Sequence, residues 1–443
     1  MEKIVWNERL ETLSREELFE TEEKALLRAQ LDYVLRRSRF YQEKFKAAGL
    51  SALDFGPDLK LRDLSFTEKS ELLDDQLRHP PFGSILAAPP ENLRRVHRTS
   101  GSSGRPVFIA LTQKDIDNTM EAGTRAFWCA GVRPGDLIIH CLNYCLWMGG
   151  LTDHMNLEHT GATVIPFGVG NSRSLIEMIR HLRPTGISCT PSYIAKLEAV
   201  LRDDFGLRPR DLHLKKGLFG GEPGIQNSAF RAVIEDTWGM RVMDANYGMA
   251  DVLSIFGAEC EHRCGLHFHG QGILFLELID PSTGASLEFQ EGQVGEFVCT
   301  NLKREGQPLV RFRSHDLAKI VGVGPCACGR NGFRFKILGR SDDMLIVKGI
   351  NVFPGSIAEI IGKHLTSLTG EFEIVLDAPP PIDKLRIRME CRTALPEQAL
   401  SDIVRTVRRQ FRELLDFSAD IELVPEGTIP RTDGKAKRIK KFY

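Results

Sequence analysis

Arg98-Thr99-Ser100-Gly101-Ser102-Ser103-Gly104-Arg105-Pro106 sets two glycines and four hydroxyl side chains between two arginines. Glycine lets successive backbone N–H groups converge on one point, and hydroxyls add further donors. Such a loop suits a polyphosphate. It lacks the Gly-Lys-Ser/Thr ending of a Walker loop and so is not that motif. The same composition also describes a flexible Ser/Gly loop, and the surrounding chain must choose between the two.

Just after the loop comes a short apolar run at 107–111. Further strand candidates follow at 136–142, bounded by Pro134-Gly135, at 161–166 and at 186–190, with a helix expected over 174–182. Strands alternating with helices predict an α/β sheet with parallel pairs. Upstream, Leu27, Leu31, Val34 and Leu35 recur at helical spacing among charged residues, and 8–50 is expected to be helical. Pro57 and His79-Pro80-Pro81-Phe82-Gly83 punctuate the chain. Downstream, 273–279, 295–300 and 317–321 read as strands joined by Gly- and Asp-containing turns, a β-rich subdomain. A boundary is expected at Gly339-Arg340-Ser341-Asp342-Asp343, dividing the chain into 1–339 and 340–443. The second part alternates strands (344–347, 371–376, 385–391, 420–424) with helices (356–364, 399–415), a compact α+β domain. No internal repeat or low-complexity tract is visible. The tail from Pro430 carries six basic residues and one acid.

The 443 residues suffice for two or three domains and a sizeable core without disulfides. Hydrophobic residues are 42% and charged residues 26%, a globular balance. With 58 basic against 59 acidic residues there is no whole-chain field to bind nucleic acid, and no acidic excess arguing for disorder. The N-terminus lacks a signal-peptide pattern, and no segment approaches 18 uninterrupted apolar residues, so neither export nor a membrane span is expected. A cytoplasmic protein is expected, whose clustered cysteines are metal ligands rather than disulfides.

Further segments follow the Ser/Gly loop in fixed order: Gly220-Gly221-Glu222-Pro223, Asn246-Tyr247-Gly248-Met249-Ala250-Asp251, Arg311-Phe312-Arg313-Ser314-His315-Asp316-Leu317, Gly339–Asp343, Lys348-Gly349-Ile350-Asn351-Val352-Phe353-Pro354, and Pro430-Arg431-Thr432-Asp433-Gly434-Lys435-Ala436-Lys437-Arg438. The series resembles the adenylate-forming superfamily of acyl-CoA synthetases, adenylation domains and luciferases. Leu146-Trp147-Met148-Gly149-Gly150-Leu151, Gly161-Ala162-Thr163-Val164-Ile165-Pro166 and Cys189-Thr190-Pro191-Ser192-Tyr193 narrow the resemblance to the phenylacetate–CoA ligase family. It covers nearly the whole chain.

The resemblance implies a large multi-subdomain N-terminal domain of α/β sheets with a β-rich subdomain, and a small mobile α+β C-terminal domain. It implies an aryl- or arylalkyl-CoA ligase using ATP, Mg²⁺ and CoA. A carboxylate would attack the α-phosphate of ATP to give an acyl-adenylate and pyrophosphate; CoA thiol would then displace AMP. Crowded anions need a donor-rich loop, a metal and a lysine. Thr99, Ser100, Gly101, Ser102, Ser103 and Gly104 would cradle the β- and γ-phosphates. Gly220, Gly221 and Glu222 would line the adenine site, and Tyr247 with Gly248 would flank the base; outside this context Tyr247 would read as a core aromatic.

Asp251 stands where the family usually has the Mg²⁺-holding Glu, one methylene shorter; its other reading is a helix N-cap. Asp316 would accept from the ribose hydroxyls, against a turn residue before a strand. The family usually has Gly before this Asp, where this chain has His315. Arg340 would contact ribose or phosphate, and Asp342 would be the hinge of the C-terminal domain. Lys435 matches the catalytic lysine, bridging carboxylate and α-phosphate oxygens, with Lys437 its neighbouring candidate.

Leu142, Trp147 and Gly149 belong to the segment that would line the acyl site. The family often has Tyr and Phe where this chain has Leu142 and Trp147. Trp147 offers a broad face to a ring, and no Arg or Lys in 142–147 calls for a second acid group, so a small aromatic or bulky apolar acid is expected. Ordinary core packing is the other reading for Leu142.

Cys260-Glu261-His262-Arg263-Cys264-Gly265-Leu266-His267-Phe268-His269 and the distant Cys326-Ala327-Cys328 resemble the structural zinc site of some family members. Matching that pattern names Cys260, His267, Cys326 and Cys328, with His262 or Cys264 as substitutes. Cys129, Cys141, Cys145, Cys189, Cys299 and Cys391 read as small core hydrophobes. The expected partners are the acid and CoA, with neither nucleic acid nor membrane; a homodimer is allowed. Two other readings stay open: an adenylation enzyme loading a carrier-protein thiol, and a non-catalytic nucleotide-binding scaffold.

Overall fold

The computed structural model describes residues 4–49, 61–99, 105–222, 224–348, 350–378, 382–392, 396–430 and 438–442. The Ser100–Gly104 part of the loop and the 431–437 segment with Lys435 therefore lie outside the described residues. The chain divides into two compact units. The first comprises 1–168, 186–188 and 243–336, and the second 169–185, 189–242 and 337–443.

In the first unit, strand Leu137–His140 is flanked by parallel partners on both sides, Thr163–Pro166 and Gly186–Cys189. These are the parallel pairs expected from the alternating pattern. A longer ladder runs in the order Ser286–Leu287, Leu274–Ile279, Val294–Asn301, Phe312–Val323, Phe333–Arg340, Leu266–Phe268, Leu253–Glu259 and Arg241–Met249. The β-rich stretch after residue 272 is thus hydrogen-bonded sideways into strands that precede it in the chain. Strand Leu253–Glu259 is buried at every residue, so it lacks the apolar–polar alternation by which a half-buried strand announces itself. Helix Gln113–Cys129 starts at a capping box between Thr112 and Asp115 and packs on helix Met148–His159.

The expected helix over 8–50 is broken. Short turns Glu8–Glu11 and Arg15–Leu18 precede a π-turn at Phe19–Glu23, and helix Lys24–Arg37 is separated from Arg39–Ala47. Asn7 and Ser14 each cap a new start, Ser14 with Glu17 as a reciprocal box, and Ser38 is extended at φ −97° and ψ 110°. At Asn7 and Ser14 a short polar side chain that hydrogen-bonds to the backbone competes with helix continuation; the Ser38 hydroxyl makes no such bond. No helix among the described residues is long and apolar enough to cross a membrane.

The second unit holds more than the C-terminal segment. Strand Lys216–Gly220 and helices Ser172–Leu182, Pro191–Val200 and Ser228–Trp238 belong to it. Asn227, which caps the last of these helices, donates to the Glu359 carbonyl at 3.1 Å. Beyond residue 337, strands run in the order Ala419–Pro425, Leu385–Cys391, Leu368–Leu376, Ile439–Lys441. Leu385–Cys391 and Ala419–Pro425 are parallel, so the chain between them must cross over, and it does so through helix Glu397–Leu415. That helix buries Ile403, Val407 and Phe411, a four-residue spacing that forms one stripe.

Candidate functional site

In the first unit, the Asn246–Asp251 segment spans the turn between strands Arg241–Met249 and Leu253–Glu259. Gly248 is required there: a Cβ on it would stand 1.9 Å from the Ser254 carbonyl oxygen. Tyr247, half-buried, meets Phe256 and Phe335 edge-on at 5.0 and 5.4 Å. Its hydroxyl donates to Asp316 Oδ2 at 2.9 Å. Two residues 69 positions apart, expected on the base and the ribose, therefore touch. Asp316 lies inside strand Phe312–Val323 rather than in a turn before one. Asp251 sits in the hairpin turn and caps no helix. Its Oδ2 pairs with Lys69 Nζ at 2.9 Å, while Oδ1 is buried without a hydrogen-bond partner.

His315 has φ 59°, the left-handed region that glycine enters without strain. This accounts for the departure noted in the sequence: the backbone keeps the conformation suited to glycine although the residue has a ring.

Thr99, at the root of the Ser/Gly loop, is buried. Its N–H donates to the Val107 carbonyl at 2.9 Å, and its hydroxyl accepts from the Val107 N–H at 3.0 Å. The two arms of the loop are pinned together at that point. The segment 142–147 joins the same root, for Arg98 N–H donates to the Leu146 carbonyl at 2.9 Å. Leu142 and Trp147 are half-buried and Leu146 is 47% exposed, so ordinary core packing does not describe this segment. Cys145 is exposed, against the expectation of a core cysteine, whereas Cys391 is half-buried and packs against the C-terminal core. Cys145 falls in the bend just before helix Met148–His159.

Beneath Gly149 lies Asp153, which sequence reasoning did not single out. It is fully buried, and a Cβ on Gly149 would stand 3.2 Å from its Oδ2 and 3.5 Å from Leu142 Cδ1. Ser254 Oγ donates to Asp153 Oδ1 at 2.9 Å, and Asn246 Nδ2 donates to Oδ2. Burial raises the carboxyl to about 8, although these two hydrogen bonds pull it down. His140 is also buried and held near 4 by desolvation, hence neutral. Its Nε2 lies 3.2 and 3.0 Å from the carbonyls of Gly149 and Gly150, so Nε2 carries the proton and Nδ1 accepts from Ser188 Oγ at 3.2 Å. The only sequence signal for Asp153 was its place four residues after Gly149, on the same helix face.

The Asp153 shift has a testable consequence. The folded carboxyl keeps its proton up to about pH 8, while the unfolded one loses it near pH 4. Between those limits the unfolded state binds fewer protons, so stability falls as pH rises, by up to about 1.4 kcal/mol per pH unit. Asp153→Asn removes this slope. In thermal melts at pH 5, 6.5 and 8 the variant is expected to gain on the parent with rising pH; parallel behaviour would refute the shift.

Cys260, His267, Cys326 and Cys328 offer ligand atoms that all lie within 4.8 Å of one another. Cys328 Sγ is 3.6 Å from His267 Nε2, and Cys260 Sγ 3.9 Å from Cys326 Sγ. His267 is on strand Leu266–Phe268, whereas Cys326 and Cys328 follow strand Phe312–Val323. Cys264 stands 3.5 Å from Cys326 at the edge of the group, and His262 is exposed beside Glu261. A hydrogen bond from Cys260 holds the Cys328 thiol well below its ordinary range, and His267 does the same for Cys326. Thiolates are what a metal needs. Cys129 packs on Cys260 and Cys328, and burial pushes its thiol up to about 11.

In the second unit, Gly220 ends strand Lys216–Gly220 and Gly221 has φ 81°. Glu222 Oε1 accepts from the Ser192 N–H at 2.6 Å, at the start of helix Pro191–Val200. Arg340 and Asp342 form a two-pronged pair, Nε to Oδ1 at 2.8 Å and Nη2 to Oδ2 at 2.7 Å.

Comparisons with known proteins agree with this arrangement. A family model described as AMP-binding enzyme matches residues 31–301, and one described as AMP-binding enzyme C-terminal domain matches residues 349–441. The chain is 32% identical to the phenylacetate-coenzyme A ligase of Thermus thermophilus, covering 98% of this chain and 99% of that protein. It is equally 32% identical to the phenylacetate-coenzyme A ligase of Escherichia coli, with coverage of 97% and 96%. Among solved structures, 2-hydroxyisobutyryl-CoA ligase in the postadenylation state, in complex with R3-HIB-AMP, superposes with a TM-score of 0.89. The identity is 29%, covering 99% of this chain and 93% of that one.

Proposed function

This chain belongs to the phenylacetate–CoA ligase family of adenylate-forming enzymes and joins a carboxylic acid to CoA through an acyl-adenylate; on that premise we propose that the acid is aromatic or arylalkyl. The acceptor is CoA. The relatives are CoA ligases, so neither a carrier-protein thiol nor a non-catalytic scaffold fits. The observation that supports the substrate reading is the segment 142–147, in which Leu142 and Trp147 are half-buried, Leu146 is exposed and no cation occurs.

In the first step a carboxylate oxygen attacks the α-phosphorus and pyrophosphate leaves. Thr99–Gly104 gather the β- and γ-phosphates, and Lys435 meets the charge that develops on the α-phosphate. Tyr247, Gly248 and Gly220–Glu222 flank adenine. Asp316 accepts from the ribose while holding Tyr247, since a carboxylate has acceptor sites for both. Arg340 contacts ribose or phosphate. In the second step the CoA thiol attacks the acyl carbonyl and AMP departs. A C-terminal domain beginning at 340 carries Lys435, with Asp342 as its hinge.

The orphaned Oδ1 of Asp251 fits a hard cation. Asp251 would hold Mg²⁺, which when bound offsets phosphate charge. The Cys260–His267–Cys326–Cys328 set fits Zn²⁺, which would tie two distant segments together and take no part in the chemistry. A cytoplasmic location belongs to the same proposal, since a reducing compartment keeps those thiols available.

ATP–pyrophosphate exchange over a panel of phenylacetate, benzoate, acetate and 2-hydroxyisobutyrate tests the substrate reading. Burying an aromatic ring against Trp147 is worth about 3 kcal/mol, so the aromatic acids are expected to exceed acetate by about 10²-fold in kcat/KM. The likeness to 2-hydroxyisobutyryl-CoA ligase favours a small hydroxy acid as the second reading. If 2-hydroxyisobutyrate outpaces both aromatic acids, that reading replaces the first.

A further inference from the structure

Residues 67–69 have no part in the scheme above, yet they touch one of the two carboxylates it assigns to the nucleotide side, Asp251, and the residue directly before the other, His315. Thr67, fully buried, bridges to Phe312. Its N–H donates to the Arg311 carbonyl at 2.9 Å, and its carbonyl accepts from the Arg313 N–H at 3.0 Å. Its hydroxyl donates to the Val310 carbonyl at 2.8 Å. This segment is therefore bound to the strand that carries Asp316, three residues ahead of His315. Glu68 then reaches along that strand. Its Oε2 lies 2.9 Å from His315 Nε2, and its Oε1 3.5 Å from Arg313 Nη1. On the other side of the ring, Glu296, fully buried, accepts from the His315 N–H at 3.2 Å and pairs with Arg313 Nη2 at 2.7 Å. Lys69 turns the other way, to Asp251 Oδ2 at 2.9 Å.

We propose that residues 67–69 form a latch that positions the two nucleotide-facing carboxylates: Glu68 sets Asp316 through His315, and Lys69 sets Asp251 directly. The physical need is local to His315. A non-glycine residue at φ 59° is strained, and the conformation persists only if its surroundings over-determine it. Glu68 and Glu296, gripping the ring and the backbone N–H of His315, supply that constraint. Asp316 follows immediately, so a relaxed His315 would swing the carboxylate that meets Tyr247. Glu68 and Lys69 are positioning residues, and the proposal rests on the reading of Asp316 and Asp251 as nucleotide residues.

The test compares Glu68→Ala in the parent and in a His315→Gly background, with ATP–pyrophosphate exchange as readout. Glycine holds the left-handed conformation without help. Glu68→Ala is therefore expected to raise the KM for ATP at least fivefold in the parent, with the KM for the acid unchanged. In the His315→Gly background the same change is expected to move it less than twofold. Equal effects in the two backgrounds would overturn the Glu68 arm, because Glu68 also caps helix Lys69–Arg78, and that role does not depend on His315. Lys69→Met is expected to raise the KM for ATP without changing that for the acid; an equal rise in both would overturn the Lys69 arm. Asp316→Ala separates the two levels. If it leaves the KM for ATP unchanged, the nucleotide reading falls and the latch with it. If it raises that KM while Glu68→Ala does not, only the latch falls.

Discussion

Lys435→Ala is expected to lower ATP–pyrophosphate exchange by about 10²–10³-fold, the cost of removing one charge-stabilising donor from a reacting centre. Attack of the carboxylate places new negative charge on oxygens around the α-phosphorus. An ammonium bridging those oxygens and the acid interacts more strongly with that arrangement than with separate ATP and acid, and only this difference accelerates the step. Thioester formation from a supplied acyl-adenylate should survive the substitution, because there the α-phosphate is leaving rather than being attacked. Lys437→Ala, two residues along the same basic segment, should change exchange by no more than a few-fold. A Lys435→Ala enzyme with full exchange, or a larger loss at Lys437, would reassign the lysine.

The second large effect is on stability. Purified protein is expected to contain one zinc per chain, and Cys328→Ser to lose it. Four ligands drawn from the 260–267 and 326–328 segments close a long loop, and metal binding that exists only in the folded unit adds directly to folding free energy. A loss of about 4 kcal/mol, at the upper end for single substitutions, with roughly 2–4 °C per kcal/mol for a unit of this size, lowers the melting temperature by about 10 °C. Cys391→Ser, a half-buried thiol outside the group, is the comparison. Metal analysis that finds no zinc, or equal melting temperatures for the two variants, would remove the zinc assignment.

Much of the architecture was legible because local rules and tertiary structure agree. Strand Leu385–Cys391 and the stripe Ile403–Val407–Phe411 follow from periodicity alone. Strand Leu253–Glu259, buried on both faces, was missed, because a strand with no solvent side carries no alternation. The same hairpin hid the surroundings of Asp251, whose two strands come together at a Gly248 that only a close backbone approach explains.

For the site, chain order by itself determined the candidates: the Ser/Gly loop, Tyr247, Asp251, Asp316, Lys435 and the four Cys/His positions each stand in a recognisable local context. Their partners were decided only by the fold. Lys69 with Asp251, Glu68 with His315, and Asn246 and Ser254 with Asp153 are pairs separated by roughly 90 to 250 residues. A hydrogen bond or ion pair depends on distances of about 3 Å, and no local pattern encodes which distant side chain will close that gap. Composition and motif order name the chemistry a chain is equipped for; burial, register and a positive φ at His315 decide which groups are charged, which are held, and by what.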